Sequence, residues 1–152
     1  MYLRITASLA LASSITLALL ANVAGAAAPA VRLAEVRAAP TIKDSKISSA
    51  LRQALLSGIN RLRANATRRS SSSRYLLSAT LTRLDVSKSE DTVSTRCVVS
   101  MTLRNEKSGA LIAFVDGTSR VTQAADAAID ARIDAVEAAV RGALERMDAS
   151  LE

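Results

Sequence analysis

The chain has 152 residues, of which 49% are hydrophobic and only 2% aromatic, and its formal net charge is +6 at pH 7. It contains no His and a single Cys, which excludes Ser-His-Asp triads, imidazole metal sites, internal disulfides and zinc sites built from several cysteines. Three aromatic side chains also leave almost no surface on which bases could stack, so nucleic acid is not expected as a partner.

Residues 1–26 have the pattern of a secretory signal peptide. Arg4 is the only charge before Arg32, and an apolar stretch diluted by hydroxyl residues separates the two. Ala24-Gly25-Ala26 then has the small-x-small form of a signal-peptidase site. We therefore expect a periplasmic or secreted protein, without a lipid anchor because no Cys lies near the cleavage point. The alternative is an uncleaved signal that anchors the chain in the inner membrane.

Residues 27–43 are rich in Ala and contain both prolines of the chain. Val31 and Leu33 alternate with Arg32 and Ala34, so this segment is either a linker or a short edge strand. Residues 44–152 are then expected to form a single domain.

A first helix is predicted for residues 44–64, where apolar residues recur at helical spacing. Asp44 or Ser45 can cap its start by accepting a backbone N–H bond. Gly58 interrupts the helix at a cost of about 1 kcal/mol relative to Ala. The apolar stripe consists of Ile47, Leu51, Leu55, Ile59 and Leu62, and the opposite face carries Lys46, Arg52, Asn60, Arg61 and Arg63.

Three strands follow a Ser- and Arg-rich loop at residues 65–74. In the first, from Tyr75, the alternation changes parity near Leu84, which indicates a bulge or a strand that passes the end of its partner. The second strand, residues 93–104, alternates most regularly and places Cys97 on its apolar side. In an oxidising compartment a lone cysteine is either buried and inert or a link to another chain, and its position favours the buried thiol.

A hairpin is predicted at residues 105–109, because Gly109 can supply the positive φ that such turns need. It leads into a third strand, residues 110–121, with Ile112 and Phe114 on one face and a bend at Asp116-Gly117.

The second helix is predicted for residues 124–150. Its apolar stripe is Ile129, Ile133, Val136, Val140, Leu144 and Met147. Asp126, Asp130 and Asp134 line up on another face, where a solvated helix surface explains them better than a metal site.

The element order (β)-α-β-β-β-α predicts an α+β domain. An antiparallel sheet with one apolar face needs a cover, and two amphipathic helices can supply it. We expect three to four antiparallel strands with both helices packed on one face.

Basic residues dominate residues 45–84, which hold eight Lys or Arg and no acid. Such a field attracts polyanions, and in an exported protein these would be lipopolysaccharide or anionic lipid. The candidate residues are Arg61, Arg63, Arg68, Arg69 and Arg74. A solvated helix face followed by a loop is the simpler interpretation.

Catalysis is not expected, and neither is a cofactor or a metal. Serines are the available nucleophiles, and without His a Ser–Lys pair would be needed. Ser45 and Lys46 are adjacent, but the S-x-x-K spacing known for such pairs is missing.

The segment Tyr75-Leu76-Leu77-Ser78-Ala79-Thr80-Leu81-Thr82-Arg83-Leu84 resembles a strand of small periplasmic α/β domains. These domains occur in penicillin-binding-protein activator and curli-secretion-type outer-membrane lipoproteins. Residues 99–112 are similar to their hairpin, with Asn105 where those families often have Asp, and the resemblance spans about residues 44–150. The chain also resembles small exported myxobacterial-type proteins of unknown function. The resemblance implies an envelope module that binds a protein, without catalytic residues.

The leading hypothesis is therefore a non-enzymatic accessory protein of the bacterial envelope that acts by contact with an unidentified envelope protein. The contact surface is either the Arg-rich face of the first helix or the solvent face of the sheet, where Arg96, Ser100, Thr102 and Arg104 alternate with apolar residues. The alternative is a protein that binds lipopolysaccharide or anionic lipid through its basic cluster.

Overall fold

A computed structural model of the protein describes residues 30–66 and 74–149. In chain order the elements are strand β1 (Ala30–Ala38), helix α1 (Ser45–Ala66), strands β2 (Arg74–Lys88), β3 (Thr92–Asn105) and β4 (Leu111–Ala124), and helix α2 (Ala128–Ala149). The predicted signal peptide lies outside these residues. Across the two described ranges, no helix combines the length and the hydropathy needed to cross a membrane.

The four strands form one sheet in the order β1-β2-β3-β4. Strands β2, β3 and β4 are antiparallel as expected, but β1 runs parallel to β2, so the prediction of a purely antiparallel sheet is wrong. The cause is α1, which follows β1 and carries the chain back along the sheet before β2 begins. A helical crossover of this kind makes the two strands that it joins parallel.

The edge-strand interpretation of residues 27–43 is the correct one, since β1 pairs with β2 over its whole length. Val31 is buried in the core and Leu33 packs against it. A register shift between Leu33 and Glu35 then reverses the alternation, so that Val36 rather than Glu35 packs against the core.

Two local predictions for the hairpins are confirmed. The register of β2 against β3 shifts between Leu81 and Arg83, which is the bulge that the parity change indicated. In the β3–β4 turn, Asn105 Oδ1 accepts hydrogen bonds from the backbone N–H groups of Lys107 and Ser108 at 2.9 and 3.0 Å. Gly109 has a φ of +68°, a left-handed conformation that side chains disfavour.

Helix α1 forms as its sequence predicts. Asp44 Oδ1 accepts the backbone N–H of Lys46 at 2.9 Å, which makes Asp44 the capping residue. The whole predicted stripe is buried. Gly58 lies against α2, where a Cβ would come within 2.0 Å of Leu144 Cδ1. The glycine therefore allows Leu144 to pack on α1.

Helix α2 begins later than predicted, at Ala128 after a single 3-10 turn. Ile129, placed in the apolar stripe, is 46% exposed, so that part of the prediction is wrong. The reason is that alanines make the contact with the sheet: Ala131, Ala135, Ala139 and Ala143 are all buried. Their size lets the helix come so close that a Cβ on Gly117 would lie 2.0 Å from the Ala139 carbonyl oxygen.

Both helices cover the same face of the sheet, as expected. Helix α1 packs against β1 and α2, and α2 packs against β3 and β4. One cluster of buried residues lies between the two layers, and each of the six elements contributes to it. The opposite face of the sheet carries no helix in the described part of the chain.

Candidate binding surfaces

The uncovered side of the sheet, the open face, consists of the side chains of β2, β3 and β4 that alternate with the buried ones. In β3 the buried positions include Cys97, Val99, Met101 and Leu103. The open face therefore holds the four residues that the sequence named for the sheet surface, namely Arg96, Ser100, Thr102 and Arg104. Neighbouring strands place Asp116 beside Ser100 and Phe114 beside Thr102.

Phe114 is the aromatic side chain of the open face. It is 59% exposed, while its neighbours along the strand, Ala113 and Val115, turn toward the helices. Leu111 and Ile112, at the start of the same strand, are also exposed. The sequence pattern does not determine which face of the sheet carries Phe114. The odd-numbered residues of β4 face the core, but Ala113 is too small to give a clear apolar signal there.

Most charged groups of the open face have a partner. Ser100 Oγ donates to Asp116 Oδ1 at 2.6 Å, and Arg104 Nη1 donates to the Gly109 carbonyl oxygen at 3.3 Å. Arg83 Nε lies 3.8 Å from Asp85 Oδ2. These contacts are exposed and weak, and they hold the side chains near the plane of the sheet.

Arg96 and Arg120 differ from these residues. They lie directly opposite each other on β3 and β4, and like charges in that position destabilise a sheet. Asp85 is the residue of β2 opposite Arg96, but its nearest cation is Arg83. Among the described residues neither Arg96 nor Arg120 has a hydrogen bond or an ion pair. Both guanidinium groups can therefore bind the carboxylates of an acidic ligand.

The predicted polyanion residues do not form one described surface. Arg61 lines a groove between α1 and α2, together with Arg141 and the acidic Glu137 and Glu145. Arg74 begins β2 with the parity of the open face, on the other side of the sheet. Arg63 belongs to the last turns of α1, and Arg68 and Arg69 lie outside the described residues. Binding of a polyanion by this set stays a prediction.

The groove between the helices holds about 180 Å³ at its centre. Both basic and acidic side chains line this groove, so its electrostatic potential is not uniformly positive. Ser45 and Lys46 lie exposed at the start of α1, and as successive helical residues they do not face each other. Ser45 and Lys46 are therefore not arranged as a nucleophile and its base.

Cys97 is fully buried on β3, and burial raises the pKa of its thiol to about 12. The expectation that this cysteine is buried is confirmed, and the protonated thiol is a poor nucleophile. Asp134, from the acidic row of α2, accepts a hydrogen bond from Gln123 Nε2 at 2.6 Å. Across residues 30–66 and 74–149 no three His, Cys, Asp or Glu side chains come together as metal ligands.

Comparison with known proteins gives no family for this chain. No family model matches it, and no curated protein matches it. The resemblance of the Tyr75 strand and its hairpin to envelope lipoproteins therefore stays a prediction.

Solved structures match most of the chain at low identity. A minor lipoprotein from Acinetobacter baumannii matches with a TM-score of 0.49 and 14% identity, over 78% of this chain and 91% of that one. A candidate lipoprotein from Caulobacter crescentus matches with a TM-score of 0.42 and 21% identity, over 84% and 89%. The PelC dodecamer from Paraburkholderia phytofirmans matches with a TM-score of 0.43 and 14% identity, over 76% and 92%.

Proposed function

We propose that the chain is an exported envelope accessory protein that acts without catalysis, by binding a protein partner on the open face of its sheet. The observation that carries the proposal is the combination on that face of an exposed aromatic side chain, Phe114, with two unpaired cations, Arg96 and Arg120. Aromatic and arginine side chains are the residues that most often dominate binding energy in protein interfaces.

The chemistry of the open face also limits the partner. An aromatic ring and exposed aliphatic side chains at one end need an apolar surface opposite them, and the arginine pair needs carboxylates. The partner is thus a protein whose contact surface joins an apolar patch to an acidic one. Export rests on the signal pattern of residues 1–26.

Affinity capture from envelope extract of the source cell tests the kind of partner. The processed chain is immobilised and washed at about 0.05 and 1 M NaCl, where the screening length falls from well over 10 Å to about 3 Å. A protein that stays bound at high salt supports the proposal, since high salt screens charge pairs but does not weaken apolar contact. Lipopolysaccharide or lipid that elutes with salt would instead favour the polyanion alternative. Nothing retained in either wash would contradict both.

A further inference from the structure

Strand β4 forms one edge of the sheet over 14 residues, and no described residue pairs with its outer side. Natural proteins protect long edge strands with Pro, charged side chains (especially Lys), bulges or short length. The opposite edge, β1, is shorter and carries the register shift after Leu33. By contrast β4 contains neither Pro nor Lys, and its one register shift lies at its first residues.

The charges of β4 are complementary to themselves. Asp116 and Arg120 lie on the open face with Thr118 midway between them. When two copies of one strand pair antiparallel, residues that lie directly opposite each other are on the same face of the sheet. The two-fold axis that relates the copies then passes beside one residue, which lies opposite its own counterpart. With the axis at Thr118, Asp116 of each copy lies opposite Arg120 of the other.

Moving the axis by one residue in either direction places both charged side chains opposite uncharged residues, so the opposite-charge pairs are lost. Moving it by two residues is worse. An axis at Asp116 would place two carboxylates opposite each other, and an axis at Arg120 would place two guanidinium groups together. Opposite-charge pairs stabilise antiparallel strands and like-charge pairs destabilise them, so the charges select the register at Thr118. On the other side of the sheet the same register brings Val115 opposite Val121 of the second copy.

This register also resolves an unfavourable feature of the single chain. Arg120 lies opposite Arg96 and has no ion pair or hydrogen bond among the described residues. A carboxylate from Asp116 of a second copy would lie on its free side. The pairing therefore offsets a repulsion that the isolated sheet contains.

Helix α2 is the element that borders this edge of the sheet. Helix α2 lies over both β3 and β4, and Ser119 Oγ donates to the Ala135 carbonyl oxygen, which places that part of α2 above the middle of β4. The flank of α2 away from the α1 groove carries Ala138 and Gly142 by helical spacing. Arg146 Nε donates to the Gly142 carbonyl oxygen at 3.1 Å, so this long, flexible side chain covers part of the flank and must turn aside where two copies of α2 meet.

We infer that the protein forms a symmetric dimer in which the two β4 strands pair antiparallel about Thr118, giving a continuous eight-stranded sheet. The inference does not rest on the proposed function. Of the three residues proposed to meet a protein partner, Arg96 and Phe114 stay exposed on the joined face, while Arg120 pairs with Asp116 of the second copy. A failure of partner capture would leave the dimer intact.

Charge exchange tests the register. Sedimentation equilibrium of the processed chain should show a dimer at micromolar concentration. Asp116→Arg and Arg120→Asp should each weaken dimerisation by about tenfold or more, because each replaces attraction by repulsion at both ends of the interface. The double variant Asp116→Arg/Arg120→Asp should restore it. A wild-type chain that is monomeric at ~100 μM, a concentration at which specific dimers are populated, would overturn the inference.

Cross-linking gives a second test that does not depend on the charges. Thr118→Cys should form a disulfide between copies under mild oxidation, whereas the matched variant Thr122→Cys should not, since its counterpart opposite is Phe114. Cys97 is buried and does not compete. Equal cross-linking of the two variants would exclude pairing about Thr118.

Discussion

At the scale of single residues, small and polar groups determine how closely the core of the protein packs. Cys97 fills a core position, Gly117 admits a helix, and Thr95 carries a hydroxyl into the core. Substitutions at these three positions should change stability, because the core is densely packed and has little free space. The expected effect of each substitution follows from the contacts of the residue that is replaced.

Cys97 makes stability depend on alkaline pH. Its thiol keeps its proton in the folded protein up to a pKa of about 12, while in the unfolded chain it ionises near 9.0. Between these values the unfolded state binds fewer protons, so the free energy of unfolding falls as pH rises. From pH 8 to pH 10 the wild type should lose about 1 kcal/mol more than Cys97→Ala does.

Denaturant titrations of both proteins at the two pH values measure this difference. Comparison with Cys97→Ala cancels every pH effect that the two proteins share. An advantage of the wild type that does not shrink between pH 8 and pH 10 would show that the thiol is solvated.

Gly117→Ala should destabilise the fold by at least about 2 kcal/mol, since overpacking against backbone cannot be relieved by a rotamer change. The added Cβ would lie 2.0 Å from the Ala139 carbonyl oxygen. Gly142→Ala is the matched control, because its Cβ would have no neighbour nearer than 3.8 Å, and it should stabilise α2 by about 1 kcal/mol. Thermal melts of both variants measure the two effects. An unchanged melting temperature for Gly117→Ala would mean that α2 does not approach β4 this closely.

Thr95 is fully buried on β3, and its hydroxyl has no hydrogen-bond partner within the described structure. Thr95→Val keeps the branched shape and removes the unsatisfied group. We expect a gain of about 1 kcal/mol in the free energy of unfolding, measured in urea. A loss of similar size would show that the hydroxyl does have a partner.

At the scale of elements, the sequence predicts well those segments whose apolar period is set by large residues. The stripe of α1 and the alternation of β3 belong to this class, because large side chains that recur at one period have only one way to be buried together. The β2 bulge was also visible, since it leaves a change of parity in the sequence.

The elements that were misplaced are those in which small residues make the contacts. Alanines carry the contact of α2 with the sheet, and alanine gives almost no directional signal, so Ile129 was assigned to the stripe although it is exposed. The direction of β1 was missed for another reason. Parallel pairing depends on the crossover path and leaves no local pattern. The same weak signal from Ala113 is the reason that the sequence does not predict which face of the sheet carries Phe114.

The start of α1 provides a prediction for an element end. Asp44→Ala removes the acceptor for the Lys46 N–H and should cost about 1 kcal/mol, the usual value of a helix cap. Asp44→Asn keeps an acceptor and should cost less, although it loses the 3.8 Å ion pair with Arg132. Denaturant unfolding of the two variants separates the cap from the ion pair. Equal losses in both would assign the effect to the charge.

At the scale of the whole molecule, the two sides of the sheet have different roles. One side is closed by two helices and holds the buried cluster, and the other carries Phe114 and unpaired arginines without a cover in the described residues. Two of the polyanion candidates, Arg61 and Arg74, lie on different sides of the sheet. This separation supports the proposal that a partner binds the open face rather than α1.

The most direct measurement compares partner capture by three proteins at high salt. These are the wild type, the open-face variant Arg96→Glu/Phe114→Ala and the control Arg52→Glu on the exposed side of α1. All three changes are at exposed positions, so the melting temperatures should agree within a few degrees. We expect the open-face variant to retain about tenfold less partner and the control to retain as much as the wild type. Loss of the partner in Arg52→Glu, with capture by the open-face variant unchanged, would contradict binding through the sheet.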